Sequence, residues 1–280
     1  MATTTTTTTS SSSNKYTSKL QSSRILVLGG TSGIGFCVAE AALEHGAHVT
    51  ISGSKQPKLD TALSRLQSAY PDKHSRLNGL TCDLSQPQSL ESNLDTLLKF
   101  AAASSKIDHI VFTAGDPLKI VPVSEATVQE IHRSGNVRFL GPLILAKLAP
   151  KYLAPGPKSS ITLTGGTMSH RPNKGWTLIA AWGSGIEGIT RGLAVDLAPT
   201  RVNMVSPGAV HTELFNEIPE DKLPGVLQGF SDGTLVGEVG TPENLAEAYL
   251  YFMRDGFTTG AMISSDGGRL LKWGSELENF

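Results

Sequence analysis

The sequence predicts a single α/β domain in which a doubly wound, seven-stranded parallel sheet is covered by helices on both faces. Three observations predict it. Short β-branched runs alternate with helix-length segments from Arg24 onward, the runs are apolar almost throughout, and a glycine-rich turn follows the first run directly. A strand buried on both faces reads as a continuous apolar run, and parallel neighbours need a crossover that a helix supplies.

The first strand is expected at residues 25–28, followed by Gly29-Gly30-Thr31-Ser32-Gly33-Ile34-Gly35 and a helical stretch to Glu44. Further strands are expected at 48–52, 77–82, 107–112, 160–164, 201–205 and 261–264. No linker divides residues 24–280, which therefore form one domain. Residues 212–240, rich in Gly and Pro, are too long for a simple connection and predict a mobile loop or helical lid. Residues 1–23 are mostly Thr and Ser, with Lys15 and Lys19 and no acid before Glu40, and predict a disordered tail. An organelle transit peptide is the alternative there, disfavoured by the scarcity of arginine and the lack of an amphipathic pattern.

At 280 residues and 39% hydrophobic, the chain can bury a sizeable core. A net charge of −1 with 18% charged residues provides no field for nucleic acid, an acidic membrane or a polyanionic partner. A small, largely apolar organic substrate fits better. The two cysteines, Cys37 and Cys82, fall in a helix and at a strand end, which speaks against a disulfide framework and for a reducing, cytoplasmic setting. No apolar run approaches the roughly 20 residues of a membrane-spanning helix. The histidines show no metal-ligand spacing, so no metal is expected.

The glycine-rich turn lets the chain reverse sharply and brings backbone N–H groups against a pyrophosphate, whose charge the following helix N-terminus favours. Gly29, Thr31, Ser32, Gly33, Ile34 and Gly35 are the candidate contacts. A merely tight strand–helix turn would also need glycines, but this one stands in the right context, after a strand and opening a helix. An acid at the end of the second strand would bind a ribose 2′-hydroxyl and repel a 2′-phosphate. Ser52-Gly53-Ser54-Lys55 has none. Ser54 and Lys55 instead offer a hydroxyl and an ammonium to a phosphate, so the expected cofactor is NADP(H).

The GxxxGxG spacing resembles the short-chain dehydrogenase/reductase superfamily, and the resemblance runs from about Arg24 to Leu271. Cys82-Asp83-Leu84 resembles the place where an Asp holds the adenine, and Thr113-Ala114-Gly115 the turn after the fourth strand. Asn136 falls on the family's fourth-helix Asn, Pro207-Gly208-Ala209-Val210-His211-Thr212 on its nicotinamide-side segment, and Asp266-Gly267-Gly268 on its C-terminal turn. The resemblance thus adds Asp83, Ala114, Val210 and Thr212 to the cofactor candidates. It also implies a homodimer or homotetramer paired through the fourth and fifth helices, with Gly185, Gly188 and Gly192 allowing close approach.

The resemblance breaks where the family moves protons, with a Tyr and a Lys four residues later on the fifth helix and a Ser after the fifth strand. Trp182 falls on the Tyr and Ile186 on the Lys. Indole only donates and isoleucine does not titrate, so neither serves as an acid. The Ser place is open among Thr164, Thr167 and Ser169. A carbonyl needs a proton at the developing alkoxide, whereas hydride addition to an iminium carbon neutralises a charge already present. An iminium or an activated C=C or C=O is therefore the expected acceptor, in specialised metabolism.

Residues 166–182 resemble a subset of the family that makes paraherquamide- and malbrancheamide-type alkaloids, whose members reduce an iminium and guide a Diels–Alder cyclisation. Their Arg, Asp and Trp resemble Arg138, Asn173 and Trp176 in spacing. With Asn136 these are the catalytic candidates, but an amide at 173 cannot act as a carboxylate base or counter-ion. His170 and Arg171 lie in the same loop and could donate protons or anchor an anion. Two rival functions remain: a cyclase or isomerase using the cofactor pocket without net redox change, and a non-catalytic scaffold subunit.

Overall fold

The computed structural model of the protein describes residues 14–116 and 120–272. Its seven strands are β1 (Arg24–Leu28), β2 (His48–Ser52), β3 (Leu77–Gly79), β4 (His109–Phe112), β5 (Ser160–Thr164), β6 (Arg201–Pro207) and β7 (Met262–Ser265). All neighbours are parallel, in the order β3-β2-β1-β4-β5-β6-β7. The chain builds outward from β1 to β3 and then restarts on the other side of β1 with β4. The carboxyl ends of β1 and β4 therefore flank the switch point where such sheets open a ligand crevice.

Eight helices cover the sheet: α1 (Gly33–Glu44), α2 (Gln56–Ala69), α3 (Pro87–Ala101), α4 (Val128–Ser134), α5 (Gly141–Leu148), α6 (Thr177–Asp196), α7 (Leu223–Asp232) and α8 (Pro242–Arg254) among the described residues. Successive strand side chains point to opposite faces, so β1 supplies both layers. Ile25 and Val27 pack with Ala42, Leu43, Leu66 and Tyr249 from α1, α2 and α8. Leu26 and Leu28 pack with Leu94, Leu145 and Ile186 from α3, α5 and α6. Burying each such large side chain stabilises the fold by about 2 kcal/mol.

Several boundaries differ from expectation. β3 ends at Gly79 rather than residue 82, yet the Cys82 N–H still donates to the Gly53 carbonyl at 2.9 Å, so the segment stays beside β2. β4 begins at His109, and Ile107 only bridges to Leu153. The expected fourth helix is divided into α4, a π turn over Asn136–Leu140, and α5. In that turn the Leu140 N–H donates to the Gly135 carbonyl at 2.9 Å. Gly135 and Gly141 bracket it, and Pro142 brings no N–H to continue the regular ladder. The expected fifth helix is α6.

The expected tail is described from Asn14 on, and there it belongs to the domain. Leu20 is fully buried in the core beneath α1 and α8, and the Ser22 N–H donates to the Gly46 carbonyl at 2.9 Å. A single apolar side chain among polar ones has no periodicity to betray it. The rest of the tail, residues 1–13, lies outside the described residues. Within 212–240 the chain forms a 3-10 turn over Glu213–Glu217 and then α7, which buries none of its side chains. His211, Phe215 and Phe230 stack edge to face, with centroids 5.8 Å apart in each pair, and hold this cover together.

Among the described residues no helix is long and apolar enough to cross a membrane, and no group of three or more His, Cys, Asp or Glu side chains is placed to hold a metal ion.

Candidate active site

The turn after β1 admits no side chain at its two ends. Gly29 takes a φ of +85°, and a Cβ there would meet the Ala114 nitrogen at 2.6 Å. A Cβ on Gly35 would meet the Gly29 carbonyl oxygen at 2.3 Å and the Thr113 hydroxyl at 2.4 Å. The Thr113 hydroxyl donates to the Leu28 carbonyl at 2.9 Å, tying β4 to β1 at the mouth of the crevice. Gly33 opens α1 with a φ of +51°, and Thr212 approaches from the opposite wall, its Cγ2 3.1 Å from where a Cβ on Gly33 would stand. Ser32 precedes α1 without a side-chain capping bond, which leaves its hydroxyl and the first N–H groups of the helix free for an anion. A pyrophosphate fits this cradle.

The rim agrees in chemistry. Thr31 lies against Gly53 at the end of β2, its hydroxyl 2.7 Å from a Cβ placed there. Ser54 and Lys55 are both exposed just beyond, ahead of α2. Asp83 is exposed and accepts from the Ser85 N–H at 2.9 Å. Ile34 and Ala114 are half-buried beside the turn. Val210 is buried and bridges to Gly240, anchoring the segment that carries Thr212. These twelve cofactor candidates lie at or beyond the carboxyl ends of β1, β2, β3 and β4 and in the segment after β6. The cavity walled by Arg24, His48, Arg76 and Asn78 opens at the amino ends of the strands instead.

The two positions of the expected proton relay are committed to packing. Ile186 is 2% exposed in the core under α6. Trp182 donates from its indole nitrogen to the Ser134 hydroxyl at 2.9 Å and leans on Phe139, with centroids 4.8 Å apart. Among the described residues no tyrosine takes over: Tyr249, beside the end of β5, is fully buried, paired at 2.7 Å with the Thr164 hydroxyl, and burial raises its pKa. Burial pushes the thiols of Cys37 and Cys82 up to about 12, so neither is a nucleophile near neutral pH.

The structure separates the three candidates for the serine place. Thr164 donates to the Phe112 carbonyl at 2.7 Å, and Thr167 is buried. Ser169 is half-buried, with its hydroxyl 2.9 Å from the Gly166 carbonyl and 2.7 Å from Glu187 Oε1. The same Oε1 accepts His170 Nε2 at 2.8 Å. Arg171 donates to the carbonyls of Arg269 and Lys272, both at 2.6 Å, and so pins the loop to the C-terminal turn rather than waiting for an anion.

Asn136 is buried in the π turn, and its amide donates to the Ser85 carbonyl at 3.0 Å. Arg138 lies over Gly115, its Cζ 2.4 Å from a Cβ built there, and donates to the Asp116 carbonyl at 2.6 Å. Burial raises the Asp116 pKa and the Arg138 charge opposes that rise; burial likewise lowers the Arg138 pKa, which Asp116 opposes. Asn173 is exposed and accepts from Arg269 at 3.5 Å. Trp176 is half-buried ahead of α6, its N–H on the Asn173 carbonyl at 3.1 Å. No hydrogen bond or ion pair joins the side chains of Arg138, Asn173 and Trp176 to one another.

Sequence reasoning passed over Glu187, Asp116 and Ser134. Glu187 did leave a signal: it is the one charged residue between Lys174 and Arg191. The glycines of α6 also divide. Gly188 and Gly192 have nothing within 4 Å of an added Cβ, but at Gly185 it would meet the Phe139 ring at 2.7 Å, so Gly185 serves packing within the chain.

A family profile described as an SDR-like Rossmann domain matches residues 16–272. The short-chain dehydrogenase/reductase malC of Malbranchea aurantiaca is 45% identical over 255 residues, covering 90% of this chain and 96% of that protein. A solved structure of the MalC reductase/Diels-Alderase from the same organism superposes with a TM-score of 0.88 at 44% identity, covering 92% of this chain and all of that one. A small-chain dehydrogenase solved in complex with NADPH superposes with a TM-score of 0.72 at 27% identity, covering 90% of this chain and 100% of that chain.

Proposed function

The chain belongs to the short-chain dehydrogenase/reductase family, and from that membership we propose that it is an NADP(H)-dependent reductase of specialised metabolism acting on an iminium or an activated C=C or C=O. The observation that carries this reading is a glycine turn after β1 that admits no side chain at Gly29 or Gly35, in a chain whose relay positions are filled by Trp182 and Ile186. The NADPH-bound neighbour supports the choice of cofactor, as does the absence of an acid after β2.

When bound, the reduced nicotinamide supplies a hydride. The α1 N-terminus with Ser32 and Thr212 would hold the pyrophosphate, Ser54 and Lys55 the 2′-phosphate, and Asp83 the adenine. Asn136 stiffens the π turn beneath the substrate region, and Arg138 places a fixed positive charge beside Asp116. Trp176 and the cover over 213–232 exclude water from an apolar substrate. Acting on an iminium, these residues need to deliver no proton to the reacting nitrogen. The exposed face of α6 at Gly188 and Gly192 suits pairing of two copies into a homodimer or homotetramer.

A cyclase role is the second reading, favoured by the malC relative's description as a Diels-Alderase. Asn173 stands against it, because its amide cannot hold the charge or proton that an Asp would. Titration of NADPH and NADH by nicotinamide fluorescence, in the wild type and in Ser54→Asp, tests the cofactor reading. NADPH is expected to bind more tightly, and the new carboxylate to weaken it at least about tenfold while sparing NADH. Absence of NADPH binding in the wild type would overturn the reading in favour of a scaffold subunit.

A further inference from the structure

A serine hydroxyl has one proton to give and two lone pairs to offer. At Ser169 both atoms within bonding distance, the Gly166 carbonyl oxygen at 2.9 Å and Glu187 Oε1 at 2.7 Å, are acceptors. The single proton is therefore already placed. His170 Nε2 lies 2.8 Å from the same Oε1, and charged or neutral its N–H can donate there, so Glu187 is held as an acceptor from two sides. The His170 side chain is 42% exposed, that of Glu187 15%, and Ser169 is half-buried. Gly183, one residue past Trp182, packs beside Ser169: a Cβ there would stand in ordinary contact with the Ser169 Cβ, at 3.4 Å.

Resting on the reductase reading above, we propose that Glu187, steadied by His170, turns Ser169 into an acceptor rather than a donor and thereby selects cationic substrates over neutral carbonyls. Carbonyl reduction builds negative charge on oxygen, which donors stabilise. An iminium brings positive charge, which lone pairs and a nearby carboxyl group favour. Glu187 is thus a positioning residue for substrate choice. It acts through Ser169, one of the three candidates for the family's serine place, thirteen residues before Trp182.

The test compares a permanently charged probe, N-methyl-3,4-dihydroisoquinolinium, with its neutral isostere 1-tetralone. Both are titrated calorimetrically into the full chain, with and without NADP⁺. The wild type is expected to prefer the cation. In Glu187→Gln the amide can donate to Ser169 and release its proton, so the preference should fall about tenfold, and Ser169→Ala should lose it similarly by another route. Equal weakening of both probes in Glu187→Gln, or a change in neither, would overturn the proposal. Because the preference is also read without cofactor, wild-type protein that binds no NADPH would defeat the cofactor reading without touching this one.

Discussion

The two sides of the crevice are built on different principles. Around β1, α1 and β2 the requirements are backbone requirements: Gly29 and Gly35 sit where any Cβ would strike main chain or the Thr113 hydroxyl. Around β5 and α6 the requirements are those of side chains, and there Trp182 and Ile186 have been drawn into packing without disturbing the helix that carries them. One side is therefore fixed by the backbone, the other by its side chains. Glycine is required on the first side, whereas on the second a side chain can change while the helix that carries it stays in place.

The contrast breaks first, and most severely, at the turn. Gly35→Ala forces a Cβ to 2.3 Å from a carbonyl oxygen that cannot move away. It should lower stability by about 3 kcal/mol and NADPH affinity more than about a hundredfold, read by urea denaturation and fluorescence titration. On the other side, Trp182→Phe removes the bond to Ser134 and part of a ring tilted against Phe139. A loss of about 1–2 kcal/mol is expected, visible as a melting temperature lower by a few degrees, with NADPH affinity unchanged. If Trp182→Phe weakened the cofactor as Gly35→Ala does, the two sides would not be independent.

Legibility in the sequence follows the same division. The glycine spacing and apolar runs are local and periodic, so the sheet, the turn and the bare end of β2 could be read directly. The π turn at Asn136 could not, because its cause is distributed over Gly135, Gly141 and Pro142 rather than stated in one motif. Leu20 joins the core from within a Ser/Thr-rich stretch whose composition argues for disorder. The pairing of Ser169, Glu187 and His170 depends on a loop folding back 18 residues onto its own helix, which no spacing rule announces. Resemblance singles out Arg138 and Asn173, and their different partners, Asp116 and Arg269, emerge only in three dimensions.

On the proposed function, hydride transfer proceeds here without a side-chain acid at the relay positions. NADPH consumption by the wild type, followed by absorbance with a cyclic iminium and with its isosteric ketone, tests it most directly. The iminium is expected to turn over, with a rate at least about a hundredfold lower for the ketone, the deficit expected when no general acid is supplied. Equal rates with the two, or product formed from the iminium with no NADPH consumed, would contradict it.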